Sequence, residues 1–306
     1  MKLNKIYNMD AVLGLKELPT DSADCIIIDP PYNIGKDFGN NKTKMPISDY
    51  VEWAKEWLTE CKRILKPSGT MFVYGFSEIL AHISVNLDMD HRWLVWHYTN
   101  KTVPSLNFWQ RSHESIICAW KDKDKRIFNR DDVREPYTDN FIKGYSGANA
   151  NKKRPKSTGR MQSSEAETFY KVDERGALPR DVLKQSALAG GSGKKERIFY
   201  CRKCKATYHP KEMKNHKKCT IVEEHVGRGG KIKLKEVSAI LKHPTQKPID
   251  LTTRLIKSCM PDTGVVLIPF AGSGSEAKVA KDLGHQYIGF EINEEYFNLI
   301  NFFINN

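Results

Sequence analysis

The chain has 306 residues, of which 40% are hydrophobic and 28% are charged, and its formal net charge is +12. That length can bury the core of one large domain or two modest ones, and the composition is ordinary for a soluble globular protein. No apolar run approaches the roughly 18–20 residues that a membrane span needs, and the first ten residues lack the apolar core of a signal peptide. We therefore expect a cytoplasmic protein with no membrane partner.

Residues 1–120 alternate between short apolar runs and stretches with apolar residues at helical spacing. The run DCIII at 24–28 is rich in β-branched residues, which is typical of a buried strand. The stretch 50–65 ends at Lys66-Pro67-Ser68-Gly69, a helix stop. Such alternation predicts a parallel sheet covered by helices. The predicted strands are 5–7, 24–28, 70–74, 93–98 and 115–120, and the predicted helices are 11–18, 50–65 and 78–87.

Residues 121–240 interrupt this pattern with weak periodicity and a basic composition. They contain 30 Lys and Arg against 16 Asp and Glu, whereas the remainder contains 19 and 21. A solvated, lysine-rich surface is one interpretation. A polyanion partner better explains such polarisation beside a near-neutral remainder, because neutralised phosphates release condensed counterions. Within this region, Ala189-Gly190-Gly191-Ser192-Gly193 is typical of a flexible hinge.

Residues 241–306 resume the α/β alternation. The predicted strands here are 265–268 and 287–291, and the predicted helices are 249–258, 275–283 and 294–303. We therefore predict that 1–120 and 241–306 form the two halves of one domain with a common sheet, and that 121–240 is a basic insert between them.

A first candidate site is Asp29-Pro30-Pro31-Tyr32-Asn33, directly after the predicted strand ending at Ile28. A carboxylate at the carboxyl end of a strand in an open sheet lies where such folds bind ligands. The prolines stiffen the loop and leave its carbonyls without amide partners inside it, and the tyrosine offers a flat face for stacking on a base. Asp-Pro is also common in turns, but the whole pattern favours a functional loop.

A second candidate site is the loop Ile268-Pro269-Phe270-Ala271-Gly272-Ser273-Gly274, between a predicted strand and a predicted helix. Glycines there let a ligand approach the backbone, and the helix N-terminus presents free amides. Glu291 ends the next predicted strand, where an acid can accept hydrogen bonds from ribose hydroxyls. A lone glycine pair is usually just a turn, but the acid beside it indicates a nucleoside site.

A third pattern is Lys242-His243-Pro244-Thr245-Gln246-Lys247-Pro248, which leads into predicted helix 249–258. Proline at a helix start is unremarkable, so this pattern alone is typical of a helix N-terminus.

A fourth pattern, at 201–219, has the spacing of metal ligands. Three sulfurs and one nitrogen suit tetrahedral zinc, and four protein ligands leave no open position, so we predict a structural zinc knuckle. The alternative is a set of unrelated reduced cysteines. The predicted ligands are Cys201, Cys204, His216 and Cys219.

The motifs DPPYN, HPTQKP, FAGSG and GFEIN together resemble the β-group of DNA adenine-N6/cytosine-N4 methyltransferases. That family has a permuted motif order with the catalytic loop first, the target-recognition insert next and the cofactor loop last, as here. The resemblance covers 1–120 and 241–306 and not the insert. It implies a Rossmann-like class I methyltransferase fold with a mixed seven-stranded sheet. It also implies S-adenosyl-L-methionine as cofactor and double-stranded DNA as partner.

The resemblance also implies roles for individual residues. Asp29 and the Pro30 carbonyl would accept hydrogen bonds from the target amino group, and Tyr32 would stack on the flipped base. Lys247 would lie near the methionine moiety and could pair with its carboxylate. The implied catalytic loop is Asp29, Pro30, Pro31 and Tyr32, and the implied cofactor residues are Asp10, Asp29, Thr245, Lys247, Phe270, Ala271, Gly272, Ser273, Gly274 and Glu291.

One position departs from the family pattern. The family usually has Asp before Pro-Phe in the glycine loop, where it helps to hold the amino end of the cofactor, and this chain has Ile268. Ile268 motivates one alternative to an adenine-N6 enzyme, a DNA-binding protein with a decayed methyltransferase fold. A cytosine-N4 methyltransferase also stays open, although Asp at the first loop position favours adenine-N6 in this family, and so does an RNA or protein methyltransferase. A homodimer and a cognate restriction endonuclease are further possible partners.

Overall fold

The structure is a computed structural model that describes residues 1–33, 45–100, 105–145, 173–188, 198–201, 207–208, 238–241 and 246–305. The chain forms two compact units, Met1–Phe128 with Asp181–Asn306, and Asn129–Arg180. The strands are β1 Lys5–Tyr7, β2 Ala23–Ile28, β3 Leu65–Gly75, β4 Asp90–His97, β5 His113–Trp120, β6 Val182–Lys184, β7 Ile198–Cys201, β8 Thr207–Tyr208, β9 Ser238–Leu241, β10 Val265–Ile268 and β11 Gln286–Phe290. The helices are α1 Ala11–Lys16, α2 Ile47–Ile64, α3 Ser77–Ser84, α4 Asp139–Tyr145, α5 Ile249–Cys259, α6 Ser275–Asp282 and α7 Glu294–Asn305.

The first unit is built on a mixed sheet in the order β1-β11-β10-β2-β3-β5-β4-β6. Strand β5 is antiparallel to both neighbours, and every other pairing in the described sheet is parallel. Strands from both ends of the chain lie side by side in this sheet, because β10 and β11 from the C-terminal region lie between β1 and β2 from the N-terminal region. The prediction of one α/β sheet shared by the two terminal regions is therefore confirmed.

The sheet has eight strands, so the expected seven-stranded sheet was wrong by one. The additional strand is β6, which lies inside the region predicted as an insert and pairs in parallel with β4. It has three residues, and of these only Leu183 is buried. So short a strand in a polar stretch carries no alternation that sequence reading could detect. A separate antiparallel sheet, β8-β7-β9, comes from the same region and was likewise not predicted.

The core lies on both faces of the sheet. Along β2, Ile26 and Ile28 pack into the cluster beneath α1, α2 and α3, while Cys25 and Ile27 pack into the cluster beneath α5 and α6. A central strand covered on both faces is largely apolar, which is why residues 25–28 of β2 appear in the sequence as a continuous apolar run. None of the helices in the described ranges is long and apolar enough to cross a membrane.

Six of the seven described helices lie within three residues of their predicted bounds, and α4, in the region predicted as an insert, was not predicted. Helix α2 buries one face against the sheet, including Tyr50, Trp57 and Ile64. Its end differs from the prediction because Leu65 passes straight into β3, which includes Pro67 and begins earlier than the predicted 70–74. The C-terminal end of α2 was therefore predicted to within one residue, whereas the start of β3 was not.

The second unit, Asn129–Arg180, is held by ion pairs and a single backbone bridge in its described part. Glu135 and Ala177 exchange two backbone hydrogen bonds, of 3.0 and 2.7 Å. Arg134 contacts Asp131 and Asp173 at 2.8 and 2.9 Å. This small unit corresponds to part of the predicted insert.

Candidate active site

Four strands of the sheet end at one edge, and each is followed by a residue of the candidate site. Asp10 follows β1, Asp29 follows β2, Phe270 follows β10 and Glu291 follows β11. Because these strands are parallel, their carboxyl ends meet, which is where open α/β sheets bind ligands. A cavity of about 220 Å³ opens there and is lined by all four residues.

The glycine loop forms one wall of this cavity. Gly272 and Gly274 both have positive φ, +52° and +80°, a conformation that favours glycine. Gly274 serves as the N-cap of α6 rather than as a lining residue, and a Cβ there would come within 2.8 Å of Ile300. Phe270, Ala271, Gly272 and Ser273 line the cavity, and their role in binding the cofactor stays a prediction.

Glu291 links the glycine loop to the end of β11. Its Oε2 accepts from the Gly272 N–H and its Oε1 from the Asn293 N–H, both at 2.8 Å. Burial raises the pKa of Glu291 to about 7. Each carboxylate oxygen keeps a further lone pair, so the group can also accept from ligand hydroxyls. Asp10 is the N-cap of α1, where Oδ1 accepts from the Leu13 N–H at 3.1 Å.

Two tryptophans of α2 pack against Phe270 of the glycine loop. Trp53 lies 5.7 Å from the Phe270 ring, and Trp57 lies 5.9 Å from it. Trp53 lines the cavity, but sequence reading placed it on the buried face of a helix. Helical spacing cannot distinguish the wall of a cavity from the core, so nothing in the pattern identified Trp53.

The loop after β2 is held by Lys247, a residue 218 positions further along the chain. Its Nζ lies 2.8 Å from both carboxylate oxygens of Asp29, and the Tyr32 hydroxyl donates to Asp29 Oδ1 at 2.7 Å. Lys247 is only 2% exposed. The family resemblance implied that Lys247 could pair with the carboxylate of the cofactor; in the structure its ammonium is paired with Asp29.

Glu114, at the start of β5, completes this cluster and was missed by sequence reasoning. Its Oε2 accepts from the Tyr32 hydroxyl at 3.0 Å and lies 3.6 Å from Lys247 Nζ, and its Oε1 accepts from the Tyr98 hydroxyl at 2.6 Å. The only available signal was an acid directly before an apolar strand. Two carboxylates and one ammonium leave this buried cluster with an excess negative charge.

The electrostatics of the cluster decide its protonation. Burial alone lowers the pKa of Lys247, but Asp29 and Glu114 outweigh burial, so that this pKa lies above its ordinary value. Burial, with the charges of Asp29 and Glu114, holds the pKa of Tyr32 well above its usual range. Lys247 is therefore an ammonium and Tyr32 a neutral phenol that donates its proton.

The predicted stacking face of Tyr32 is partly occupied within the protein. Tyr32 lines the cavity but is 5% exposed, and its ring meets Phe76 edge-on at 5.2 Å. The role of this ring in stacking on a base stays a prediction.

The two prolines of the loop present their carbonyls differently. The Pro31 carbonyl accepts from the Tyr50 hydroxyl at 2.9 Å. No donor among the described residues reaches the Pro30 carbonyl, and Pro30 lines the cavity. The loop thus keeps one carbonyl available beside Asp29, and its role toward the target amino group stays a prediction.

Two positions bear on the missing acid of the glycine loop. Ile268 is 1% exposed and packs in the core cluster of that face. Glu276, in the first turn of α6, lines the cavity and is 4% exposed. Burial, and then the charge of Asp29, raises the pKa of Glu276 to about 7. Sequence reading did not single out Glu276.

Several predicted residues lie outside the described part of the chain. They are Thr245, the hinge at 189–193 and the metal ligands Cys204, His216 and Cys219, while Cys201 is described only as the last residue of β7. Among the residues that are described, no group of three or more His, Cys, Asp or Glu could hold a metal ion. The zinc knuckle stays a prediction.

The strand order and the cavity at the carboxyl edge define the class of this protein as a class I-like methyltransferase fold. Solved structures support this: the chain matches PvuII DNA methyltransferase (cytosine-N4-specific) with a TM-score of 0.58 and 16% identity, over 97% of this chain and 85% of that one. It matches the M1.HpyAVI–SAM complex with a TM-score of 0.53 and 18% identity, over 99% of both chains.

The particular family follows from sequence comparison. The model of the N6/N4 DNA methylase family matches residues 23–302. The chain is 29% identical to type II methyltransferase M.HpaI of Haemophilus parainfluenzae, over 95% of this chain and 70% of that protein. It is 27% identical to the DNA adenine methyltransferase YhdJ of Escherichia coli (strain K12), over 96% and 80%. The chain belongs to the N6/N4 DNA methylase family.

Proposed function

We propose that this protein transfers a methyl group from S-adenosyl-L-methionine to N6 of adenine in duplex DNA, by direct attack of a flipped base. The observation that carries the proposal is the Asp29 carboxylate, held by Lys247 and Tyr32 beside the cavity. That arrangement supplies an oriented acceptor at the point where the ends of β2 and β10 meet. The family places the activity on DNA.

The cavity suits the proposed cofactor. Glu291 offers acceptors for ribose hydroxyls, the glycine loop allows close approach of the backbone, and Phe270 with Trp53 forms an apolar wall. When bound, S-adenosyl-L-methionine supplies an electrophilic methyl group. The M1.HpyAVI complex contains this cofactor on a similar fold.

The remaining chemistry concerns the amino group of the base. Its lone pair is delocalised into the ring, so it is a poor nucleophile. Asp29 Oδ2 accepts one hydrogen bond, from Lys247, and keeps a lone pair for one amino proton, while the Pro30 carbonyl is available for the other. These two bonds localise the lone pair and orient it, and positioning supplies much of the remaining acceleration. Asp29 then receives the proton that the amino nitrogen loses.

DNA must deliver the base into this cavity. Unstacking a base costs a few kcal/mol, and stacking on an aromatic ring returns roughly 1–3 kcal/mol. The charge excess in residues 121–240 supports this region as the surface that binds the phosphate backbone. The zinc knuckle, a homodimer and a cognate endonuclease are proposed alongside it. M.HpaI and M.BglII are named as type II methyltransferases.

Cytosine-N4 is the second candidate for the methylated position, because the PvuII enzyme with the similar fold is cytosine-N4-specific. The name of YhdJ, a DNA adenine methyltransferase, favours adenine, as does Asp at the first position of the loop. Methylation of plasmid DNA in vitro, followed by nucleoside mass spectrometry and base-resolution mapping, decides between them. N6-methyldeoxyadenosine at one sequence supports the proposal, and N4-methyldeoxycytidine would replace it with the second candidate.

The assigned role of Asp29 is tested by Asp29→Asn, which keeps the shape and removes the charge. We expect methyl transfer to fall by about 100- to 1000-fold, the cost of one lost preorganised electrostatic contact. DNA binding should change little. The matched control is Asp49→Asn, an acid in the exposed first turn of α2. An Asp29→Asn variant with unchanged turnover would refute the role.

A further inference from the structure

The carboxylates around the cavity differ in how they are satisfied. Asp29 has Lys247, Glu291 has two backbone amides, and Asp10 has the amide of Leu13. Glu276 accepts from the Ser275 hydroxyl at 2.9 Å and from its own backbone amide, and it has no basic partner among the described residues.

No described lysine, arginine or histidine lies within ion-pair distance of Glu276. Burial and then the charge of Asp29 raise the pKa of Glu276, and the weaker opposing effect of Lys247, which is already paired with Asp29, does not offset them. Tyr74, a further titratable group beside Glu276, holds its proton because burial, and then the charge of Glu276 itself, raises its pKa well above the usual range. The N-terminus of α6 offers only a partial positive charge. Glu276 is thus a buried acid without a full counter-ion.

A buried acid of this kind either keeps its proton or pairs with a cation. The cavity that Glu276 lines is the space that such a cation can enter. The neighbouring cluster does not provide one, because Lys247 is already paired with Asp29 and lies 3.6 Å from Glu114. A cation that pairs with Glu276 therefore comes with a ligand.

We propose that Glu276 binds the α-ammonium group of the cofactor's methionine moiety. The inference rests on the proposed function and adds the residue that receives the charged end of the cofactor. Of the two cationic groups of S-adenosyl-L-methionine, only the ammonium carries N–H donors for a carboxylate, whereas the sulfonium must face the target amine beside Asp29. Glu276 thereby takes over the task that the family resemblance assigns to an acid at position 268.

The experiment is a calorimetric titration of the full chain with three ligands. S-adenosyl-L-methionine and S-adenosyl-L-homocysteine both carry the α-ammonium, and 5′-methylthioadenosine lacks the whole amino-acid end. The variant is Glu276→Gln, which keeps the size of the side chain. The control is Asp282→Asn, an exposed acid on the same helix that pairs with Lys278.

We expect Glu276→Gln to weaken binding of the first two ligands by roughly 10- to 100-fold, the range for a lost hydrogen bond to a charged group. Binding of 5′-methylthioadenosine should stay within about twofold of wild type, since a factor of two is under 0.5 kcal/mol. The Asp282→Asn control should match wild type for all three ligands.

Three results would overturn the inference. Equal losses for all three ligands would mean that the substitution deforms the pocket. A loss for S-adenosyl-L-methionine alone would assign Glu276 to the sulfonium. No loss at all would leave Glu276 as a neutral acid that only bonds Ser275. If the wild-type protein binds none of the three ligands, the proposed function itself is contradicted. That outcome is distinct from the three results that contradict only the role of Glu276.

Discussion

Replacing Lys247 with Met is the sharpest test of the cluster that holds the catalytic loop. Met keeps an unbranched apolar stem and removes the ammonium. Lys247 Nζ lies 2.8 Å from both oxygens of Asp29 and 3.6 Å from Glu114 Oε2, and the side chain is only 2% exposed. Its loss leaves two largely buried carboxylates without a cation, and breaking such a buried pair costs about 3–5 kcal/mol.

The assay is thermal unfolding followed by circular dichroism. The expected loss corresponds to a Tm lower by roughly 6–20 °C, at 2–4 °C per kcal/mol for a domain of this size. The matched control is Lys62→Met, which breaks an ion pair with Asp88 at the surface. The Lys62 side chain is 39% exposed and that of Asp88 is 92% exposed. An exposed pair contributes only about 0–1 kcal/mol. Equal Tm losses for the two variants would refute the assignment.

A double-mutant cycle separates lost charge from lost packing. Asp29→Asn removes the main partner of Lys247, so the double variant should be less destabilised than the sum of the two single variants. The expected coupling is about 1–3 kcal/mol, the upper range for residues in one buried network. Strictly additive effects would show that the contact between these two side chains contributes nothing.

Three further predictions concern ligands and partners. The pKa values of Glu276 and Glu291 are raised to about 7, so both acids ionise as pH rises through 7. Calorimetry should therefore show tighter cofactor binding at pH 8 than at pH 6, and equal affinities at the two pH values would contradict this. DNA affinity, measured by fluorescence anisotropy, should fall steeply between 50 and 200 mM salt, because residues 121–240 carry an excess of positive charge and phosphate contacts weaken over that range. An affinity that does not change with salt would contradict the assignment of this region as the DNA-binding surface. Elemental analysis should find about one zinc per chain, the stoichiometry of a four-ligand structural site, and less zinc in Cys204→Ser. A wild-type protein without zinc would contradict the predicted zinc knuckle.

The sequence predicted the parts of the site that follow directly on apolar strands. Asp29, Phe270 and Glu291 each come at the end of a strand, and parallel strands place their carboxyl ends together. Local pattern and one rule of sheet geometry were therefore enough to bring residues from both ends of the chain to one edge.

The partners of these residues could not be predicted in the same way. Glu114 reaches Tyr32 across 82 residues, because the antiparallel β5 returns to the edge at which β3 ends. Lys247 reaches Asp29 across 218 residues. No local sequence pattern indicates which carboxylate a distant lysine will pair with. The pairing depends on how the packed sheet positions the buried side chains.

The distribution of charge in the cavity argues for a working cofactor site over a decayed one. Glu276 and Glu291 are both buried, and burial raises the pKa of each, so their charged forms destabilise the empty protein. A fold that served only to bind DNA would be more stable with neutral side chains at both positions. A ligand with a cation at one end and hydroxyl donors at the other would satisfy both acids at once. On the inference drawn for Glu276, Ile268 does not indicate a lost site, because Glu276 in the first turn of α6 supplies the acid that is absent from the strand end.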